Sequence, residues 1–155
     1  MIENQPSSRS CFVCGRDNKA GLRSRWLADR AAGEVRTTVV LEEDFHGFPG
    51  LVHGGIVAAL LDEAMVRALL LDGDFEDLMV TARMEVTFRR ATPTGQPVTA
   101  AGRIVKHVGS RANAEAEVRL ADGTVTARAS GLLVRQPPEV AAAWANEREH
   151  WKVDE

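Results

Sequence analysis

Hydrophobic and polar residues alternate along several stretches of the chain, and this alternation predicts strands. In residues 111–120, three alanines, a valine and a leucine alternate with charged or polar residues, and residues 33–41 show the same period of two. Such a period is typical of a strand with one buried face. Strands are predicted over 21–29, 33–41, 78–90, 98–108, 111–120 and 124–135. Asp122-Gly123 predicts a hairpin turn between the last two.

The segment from Gly55 to about Asp72 has helical periodicity instead. Its apolar residues follow helical spacing, and Leu69 and Leu70 spread the apolar surface almost all round. A helix with this distribution belongs in the interior of a protein. A second, terminal helix is predicted after Pro137, because proline is favoured at the first position of a helix.

These elements predict an α+β fold. A sheet with one apolar face must cover another apolar element, and helix 55–72 is the segment apolar enough to be covered. We therefore expect a curved antiparallel sheet wrapped around one central helix. Residues 1–155 are expected to form a single domain with a core of about 21–135, an N-terminal segment containing Cys-x-x-Cys and a C-terminal helix as appendages.

Composition narrows the class of protein. Nineteen Lys and Arg against 22 Asp and Glu give a net charge of −3, so no basic field favours nucleic acid. No apolar run approaches the roughly 20 residues of a membrane span. The first ten residues lack the pattern of a signal peptide, and two cysteines are too few for a disulfide scaffold. A cytoplasmic protein with reduced thiols is expected, without nucleic-acid or membrane partners.

One stretch, "LVHGGIVAALLDEAM" (51–65), places His-Gly-Gly at the start of the apolar helix and two acids within it. It resembles the signature of hotdog-fold acyl-CoA thioesterases of the phenylacetate-pathway (HGG) type, in which an acid follows the histidine by nine positions. Here that acid is Asp62. "CFVCGRDNKAGL" (11–22) resembles an N-terminal stretch of one branch of that family, and the resemblance extends over about 11–135. It implies a hotdog fold and hydrolysis of an acyl- or aryl-CoA thioester.

The helix start has the chemistry of an oxyanion site. The first N–H groups of a helix lack intrahelical partners and lie at the positive end of its dipole. Glycine lets a carbonyl oxygen approach closely, so an N–H of Gly54 or Gly55 is expected to polarise the thioester. Asp62 lies two turns further along, roughly 10 Å away by helical rise. That distance is too large for both groups to act on one carbonyl within one chain.

The resemblance offers a solution, because hotdog relatives dimerise and place the acid of one subunit opposite the helix start of the other. Asp62 is then a general base or a nucleophile at an interface, in a homodimer or a dimer of dimers. Glu63 is rotated by about 100° from Asp62 and is expected to pair with Arg67. His53 is expected to position the loop, with catalysis as the alternative.

Further residues complete the candidate site. Thr81 falls where some relatives carry a hydroxyl that orients the attacking water, although a threonine in a strand also reflects β propensity. Many relatives carry Asn or Gln before His-Gly-Gly. This loop offers His46, which either substitutes as a hydrogen-bonding group or has no chemical role. Arg89, Arg90 and Arg111 are candidate contacts for the phosphates of coenzyme A.

The sequence predicts no metal and no cofactor. Cys11 and Cys14 have no second cysteine pair, and the four histidines lack ligand spacing, whereas a structural zinc site needs four ligands. No thioredoxin-like βαβ pattern surrounds them, so packed thiols are expected. Two alternatives to hydrolysis stay open: a non-catalytic acyl-CoA-binding hotdog protein, and a dehydratase of hydroxyacyl thioesters using His53 and Asp62. The sequence does not specify the acyl group.

Overall fold

A computed structural model describes residues 1–154. Its two helices are α1 (Gly54–Arg67) and α2 (Pro138–Trp144). Five strands precede α1 and four lie between the two helices: β1 (Ile2–Asn4), β2 (Leu27–Asp29), β3 (Glu34–Val40), β4 (His46–Phe48), β5 (Leu51–Val52), β6 (Val80–Phe88), β7 (Pro97–Val108), β8 (Arg111–Leu120) and β9 (Val125–Val134). The described residues contain no helix long and apolar enough to cross a membrane.

Seven strands form one antiparallel sheet in the order β1-β2-β3-β7-β8-β9-β6, and β4 and β5 form a separate hairpin. Helix α1 packs against β3, β6, β7, β8 and β9. The prediction of an α+β fold, with one central helix covered by an antiparallel sheet, is confirmed. The hairpin at Asp122-Gly123 is also confirmed, because β8 and β9 pair on either side of it and Gly123 has a φ of 87°.

Small residues allow the helix to lie close to the sheet. A Cβ atom added to Gly102 of β7 would lie 2.2 Å from the Ala64 carbonyl oxygen of α1. One added to Gly131 of β9 would lie 2.9 Å from the Met65 side chain. The alternating alanines of β8 face the same way and are buried at positions 112, 114 and 116. Close packing of this kind removes apolar surface from water on both elements.

The first predicted strand is much shorter than expected. Residues 21–29 contribute only Leu27–Asp29 to the sheet. Leu22 and Ser24 instead donate backbone hydrogen bonds to Phe12 and Val13 of the Cys-x-x-Cys segment. That segment is part of the core, since Val13 and Cys14 are buried. The core therefore extends beyond the expected boundary at residue 21.

The central helix also ends earlier than residue 72. The α-helical hydrogen bonding stops at Arg67 and continues as a 3-10 helix over Ala68–Leu71, before Gly73 donates to the Leu69 carbonyl. At the C-terminus, α2 begins with Pro138 at its first turn, as predicted. It gives way to a 3-10 helix over Ala145–His150.

Strand β6 does not join the meander of the strands that follow it. Among the four strands that follow α1, β7, β8 and β9 are sequential neighbours, while β6 pairs with β9 at one edge of the sheet and β7 pairs with β3 on the other side. Within the described residues, the outer side of β6 has no strand partner. This placement decides the geometry of the site.

Candidate active site

His53 caps the start of α1. Its Nδ1 atom accepts a hydrogen bond from the Gly55 N–H at 2.9 Å, and its carbonyl accepts from Ile56 and Val57. Because Nδ1 is an acceptor, a neutral His53 ring carries its proton on Nε2. The cap satisfies one unpartnered N–H of the first turn. His53 therefore holds the start of the helix through its side chain, and its Nδ1 is not available as a base while the cap is formed.

Gly54 provides the other backbone N–H of the Gly54-Gly55 pair. It is the first residue of the helix, and its N–H makes no hydrogen bond among the described residues. Gly54 lines a cavity of about 340 Å³ together with Val52, Val57 and Phe88. The donor, the helix dipole and the space for a carbonyl group therefore coincide at Gly54. Of the two predicted oxyanion donors, the geometry favours Gly54, because Gly55 is occupied by His53.

Asp62 lies about two turns into α1 and faces β6. Its Oδ1 accepts a hydrogen bond from the Thr81 hydroxyl at 2.5 Å. Both side chains are partly buried, so each keeps some access to solvent. The structure thus brings together two of the predicted residues, and the hydroxyl leaves the second carboxylate oxygen, Oδ2, free of protein donors in the described residues.

A β-bulge aims Thr81 at the helix. The register of β6 against β9 shifts between Thr81 and Arg83, so that Thr81 lies opposite the buried Leu133. Phe88 lies opposite the buried Ala127, on the same inner face. Without the extra residue, a strand with a period of two would turn Thr81 outward. The bulge therefore makes the Thr81–Asp62 hydrogen bond possible.

The two halves of the site lie far apart within one chain. Gly54 is at the Phe88 end of β6, since a Cβ atom added to Gly54 would lie 3.5 Å from the Phe88 ring. Asp62 is at the Thr81 end. Gly54 and Asp62 are eight residues apart in α1, so the helical rise separates them by roughly 12 Å. One chain therefore presents two half-sites, one at each end of an edge strand.

The predicted cations divide between these ends. Arg89 and Arg90 line the Gly54 cavity directly. Arg111 begins β8 opposite Val134, which in turn pairs with Val80, so it lies at the Thr81 end of the sheet. His46 is exposed, its Nδ1 lies 2.5 Å from the Glu43 carbonyl, and it does not line the cavity.

Phe88 is the site residue that sequence reasoning missed. It is 55% exposed and stacks over Gly54 in the cavity wall. An aromatic at the end of a strand is ordinary in a sequence, because β propensity alone accounts for it. The feature of the sequence that could have indicated Phe88 is its position directly before the two candidate arginines.

A larger cavity, of about 560 Å³, lies away from this chemistry. It is on the sheet surface between β3, β6, β7, β8 and β9, and most of its charged residues form ion pairs. Arg103 bonds Glu115 at 2.9 Å, and Arg119 bonds Glu34 at 3.0 Å. It contains neither a helix N-terminus nor a carboxylate with a hydroxyl partner. We take the smaller cavity as the candidate site, because it contains the N-terminus of α1 and the larger cavity does not.

Glu63 turns away from Asp62, as predicted, and bonds the buried Arg67 guanidinium at 2.7 Å. The predicted i,i+4 pair is confirmed. Burial raises the pKa of Glu63 to about 7, although the charge of Arg67 opposes this. The Arg67 guanidinium also lies against the rings of Trp26 and Trp151, at 5.6 and 5.2 Å from their centroids. Arg67 therefore connects helix α1 to Trp26 and to Trp151 in the C-terminal part of the chain.

The raised pKa of Glu63 predicts a pH-dependent stability. Between about pH 4.5 and 7 the native carboxyl keeps a proton that the unfolded chain has lost, so the free energy of unfolding falls as the pH rises. We expect Glu63→Gln, which imitates the neutral acid, to remove roughly 1–3 kcal/mol of this decrease. Urea unfolding of both proteins, followed by tryptophan fluorescence from about pH 5 to 7 at one protein concentration, measures it. Parallel pH curves for the two proteins would contradict the raised pKa.

Comparison with known proteins identifies the class. Residues 49–127, half of the chain, match the family model described as "Thioesterase superfamily". This chain belongs to the thioesterase superfamily, and its sheet and central helix are those of the hotdog fold.

Individual relatives agree with this placement. The chain is 26% identical over 140 residues to the acyl-coenzyme A thioesterase THEM4 of Bos taurus, covering 88% of this chain and 56% of THEM4. It is 32% identical to the crystal structure of the thioesterase superfamily protein RHA08564, with a TM-score of 0.74, covering 81% of this chain and 60% of RHA08564. The chain thus spans less than two thirds of either protein. A further solved structure, smu.793 of Streptococcus mutans bound to acetyl CoA, is 18% identical to this chain and shares its fold with a TM-score of 0.60. The match covers 67% of this chain and 85% of the smu.793 chain.

Proposed function

We propose that this protein is an acyl-CoA thioesterase of the HGG type, which hydrolyses an acyl- or aryl-CoA thioester to a carboxylate and free CoA. One observation carries the proposal: a free helix N-terminal N–H at Gly54 and a hydroxyl-bonded acid at Asp62 are anchored to opposite ends of the same edge strand. The reaction as we propose it needs no metal and no cofactor. Membership of the thioesterase superfamily and the likeness to THEM4 support this choice.

A homodimer unites the half-sites. Strand β6 presents an unpaired edge of nine residues, and such edges are strong templates for pairing with a second copy. Antiparallel pairing about a two-fold axis near the middle of β6 sets the Thr81 end of one strand beside the Phe88 end of the other. Asp62 of one protomer then faces the Gly54 N–H of its partner, and the symmetry generates two such sites. Dimers can pair again into a dimer of dimers.

Each group has a defined part in the reaction. The Gly54 N–H stabilises the negative charge that develops on the thioester oxygen, aided by the helix dipole. Thr81 fixes one carboxylate oxygen of Asp62, and the other accepts a proton from the attacking water or attacks the carbonyl itself. When the tetrahedral intermediate collapses, the carbon–sulfur bond breaks and CoA leaves as the thiolate. His53 keeps the helix start in place.

The cations beside the cavity fit a CoA ester. Arg89 and Arg90 border the same cavity as Gly54, so phosphates can lie at its mouth while the thioester reaches the helix. The apolar walls formed by Val52, Val57 and Phe88 suit the hydrocarbon part of the ester. The acetyl CoA bound by smu.793 supports a CoA ester as the ligand of this chain too.

Thiol release from a panel of saturated acyl-CoA and aryl-CoA esters tests the activity. We expect free CoA, detected by a thiol reagent, together with the matching carboxylate. A dehydratase would leave the thioester bond intact, and a binding protein would retain the ester unchanged. CoA esters that bind but release no thiol across the panel would therefore contradict the proposed function.

A further inference from the structure

The Cys-x-x-Cys segment and helix α1 form a partly buried cluster that the proposed reaction does not use. The Cys11 sulfur, the Cys14 sulfur and a Glu63 carboxylate oxygen all lie within 4.8 Å of one another. It is the one such convergence of His, Cys, Asp and Glu side chains in residues 1–154. We call these three residues together with Arg67 the thiol cluster.

The backbone of this segment stabilises negative charge on Cys11. The Val13 N–H donates to the Cys11 sulfur at 3.3 Å. The turn itself is tight, since the Gly15 N–H bonds the Cys11 carbonyl at 2.8 Å and a Cβ atom at Gly15 would lie 2.3 Å from that oxygen. Only glycine fits there. The turn therefore holds both sulfurs near each other and directs an N–H at one of them.

Arg67 is the positively charged member of the thiol cluster. The guanidinium is 1% exposed, one of its amino groups, Nη2, has no acceptor among the described residues, and its charge favours the Cys14 thiolate. Its other bonds go to Glu63, to the Pro6 carbonyl and to Gln5. A buried guanidinium with a spare donor favours anions, such as thiolates, beside it.

The two thiols differ in a way that suits sequential reaction. A hydrogen bond with Cys14 lowers the pKa of Cys11 to about 7, and the same bond together with burial raises the pKa of Cys14 to about 12. Cys11 is also partly exposed, whereas Cys14 is fully buried. A small oxidant can therefore reach Cys11 first, with Cys14 in position to react next.

We propose that Cys11 and Cys14 are an oxidation site, at which a hydroperoxide converts the two thiols to a disulfide. The Cys11 thiolate attacks the peroxide, a sulfur–oxygen bond forms, the oxygen–oxygen bond breaks and hydroxide leaves. The Cys14 sulfur then attacks the Cys11 sulfenic acid, the sulfur–sulfur bond replaces the sulfur–oxygen bond, and the second hydroxide takes the Cys14 proton. Two thiols and one hydrogen peroxide give one disulfide and two waters.

The test uses the full chain, fully reduced and then treated with hydrogen peroxide near pH 7. Residual thiols are alkylated under denaturing conditions and intact mass is measured. We expect one internal disulfide per chain, and a rate several-fold above that of the same protein unfolded in urea, because the lowered pKa of native Cys11 leaves more of it as thiolate than in the unfolded chain. A Cys14→Ser variant should accumulate a sulfenic acid trapped by dimedone at Cys11. A Cys11→Ser variant should leave Cys14 reduced.

Circular dichroism establishes that each single variant is folded before it is compared. If the native protein keeps both thiols free under conditions that oxidise the unfolded chain, the proposal is overturned. Sulfenic acid at Cys14 rather than at Cys11 would overturn it too. Stoichiometric zinc in the purified protein that blocks alkylation of both thiols would also overturn it, since the cluster would then be a metal site.

Discussion

Asp62→Asn is expected to lower kcat by about 10²–10⁴-fold, the contribution of a general base. The substitution keeps the size and polarity of the side chain but removes its negative charge and its basicity. The Thr81 hydroxyl can still donate to the amide oxygen, so the local packing should persist. Steady-state thiol release gives kcat, and a binding assay with a slowly hydrolysed CoA ester should show retained affinity.

The neighbouring acid provides the matched control. Glu63 is buried against Arg67 on another face of the helix, so Glu63→Gln should leave kcat nearly unchanged. A folded Asp62→Asn protein that is almost as fast as the natural one would remove Asp62 from the mechanism. If Glu63→Gln also proved fully active, neither acid of α1 would be the base and the attacking water would have to be activated by another group.

Gly54→Pro is expected to lower kcat by about 10²–10³-fold, the usual effect of losing one oxyanion donor. Proline removes the free N–H of Gly54 and little else. Gly54 is the first helical position, where proline is well tolerated. His53, with φ −57° and ψ 134°, already has the conformation that a following proline requires. Gly54→Ala keeps the N–H, and its Cβ would make an ordinary contact with Phe88 at 3.5 Å, so it should lose much less activity.

Mixing the two inactive variants tests the shared site. If Gly54 and Asp62 act across an interface, a heterodimer of Gly54→Pro and Asp62→Asn subunits has one doubly damaged site and one intact site. Random exchange of equal amounts should then restore about a quarter of the natural activity, because half of the dimers are mixed and each has one working site. Recovery is measured after co-refolding from urea. If the subunits are shown to have exchanged and no activity is recovered, the whole site lies within one subunit.

Local patterns in the sequence were enough for the long strands, the central helix and their buried faces. The alternating alanines of β8 and the apolar run of α1 predict which side chains are buried, because a strand and a helix each impose a fixed period on them. The glycines after His53 predict an oxyanion site, since unpartnered N–H groups belong to every helix start. The i,i+4 pair of Glu63 with Arg67 follows from helical spacing alone.

Tertiary structure decided how these parts are combined. The sequence orders β6 before β7, but the sheet places β6 at its far edge beside β9, and only that pairing leaves an open edge between Thr81 and Phe88. The bulge that turns Thr81 toward Asp62 also depends on the register with β9. The contact of Cys11 with Glu63 spans 52 positions. Local periodicity is fixed by covalent geometry within a few residues, whereas strand order and long-range contacts depend on how the whole apolar surface is buried.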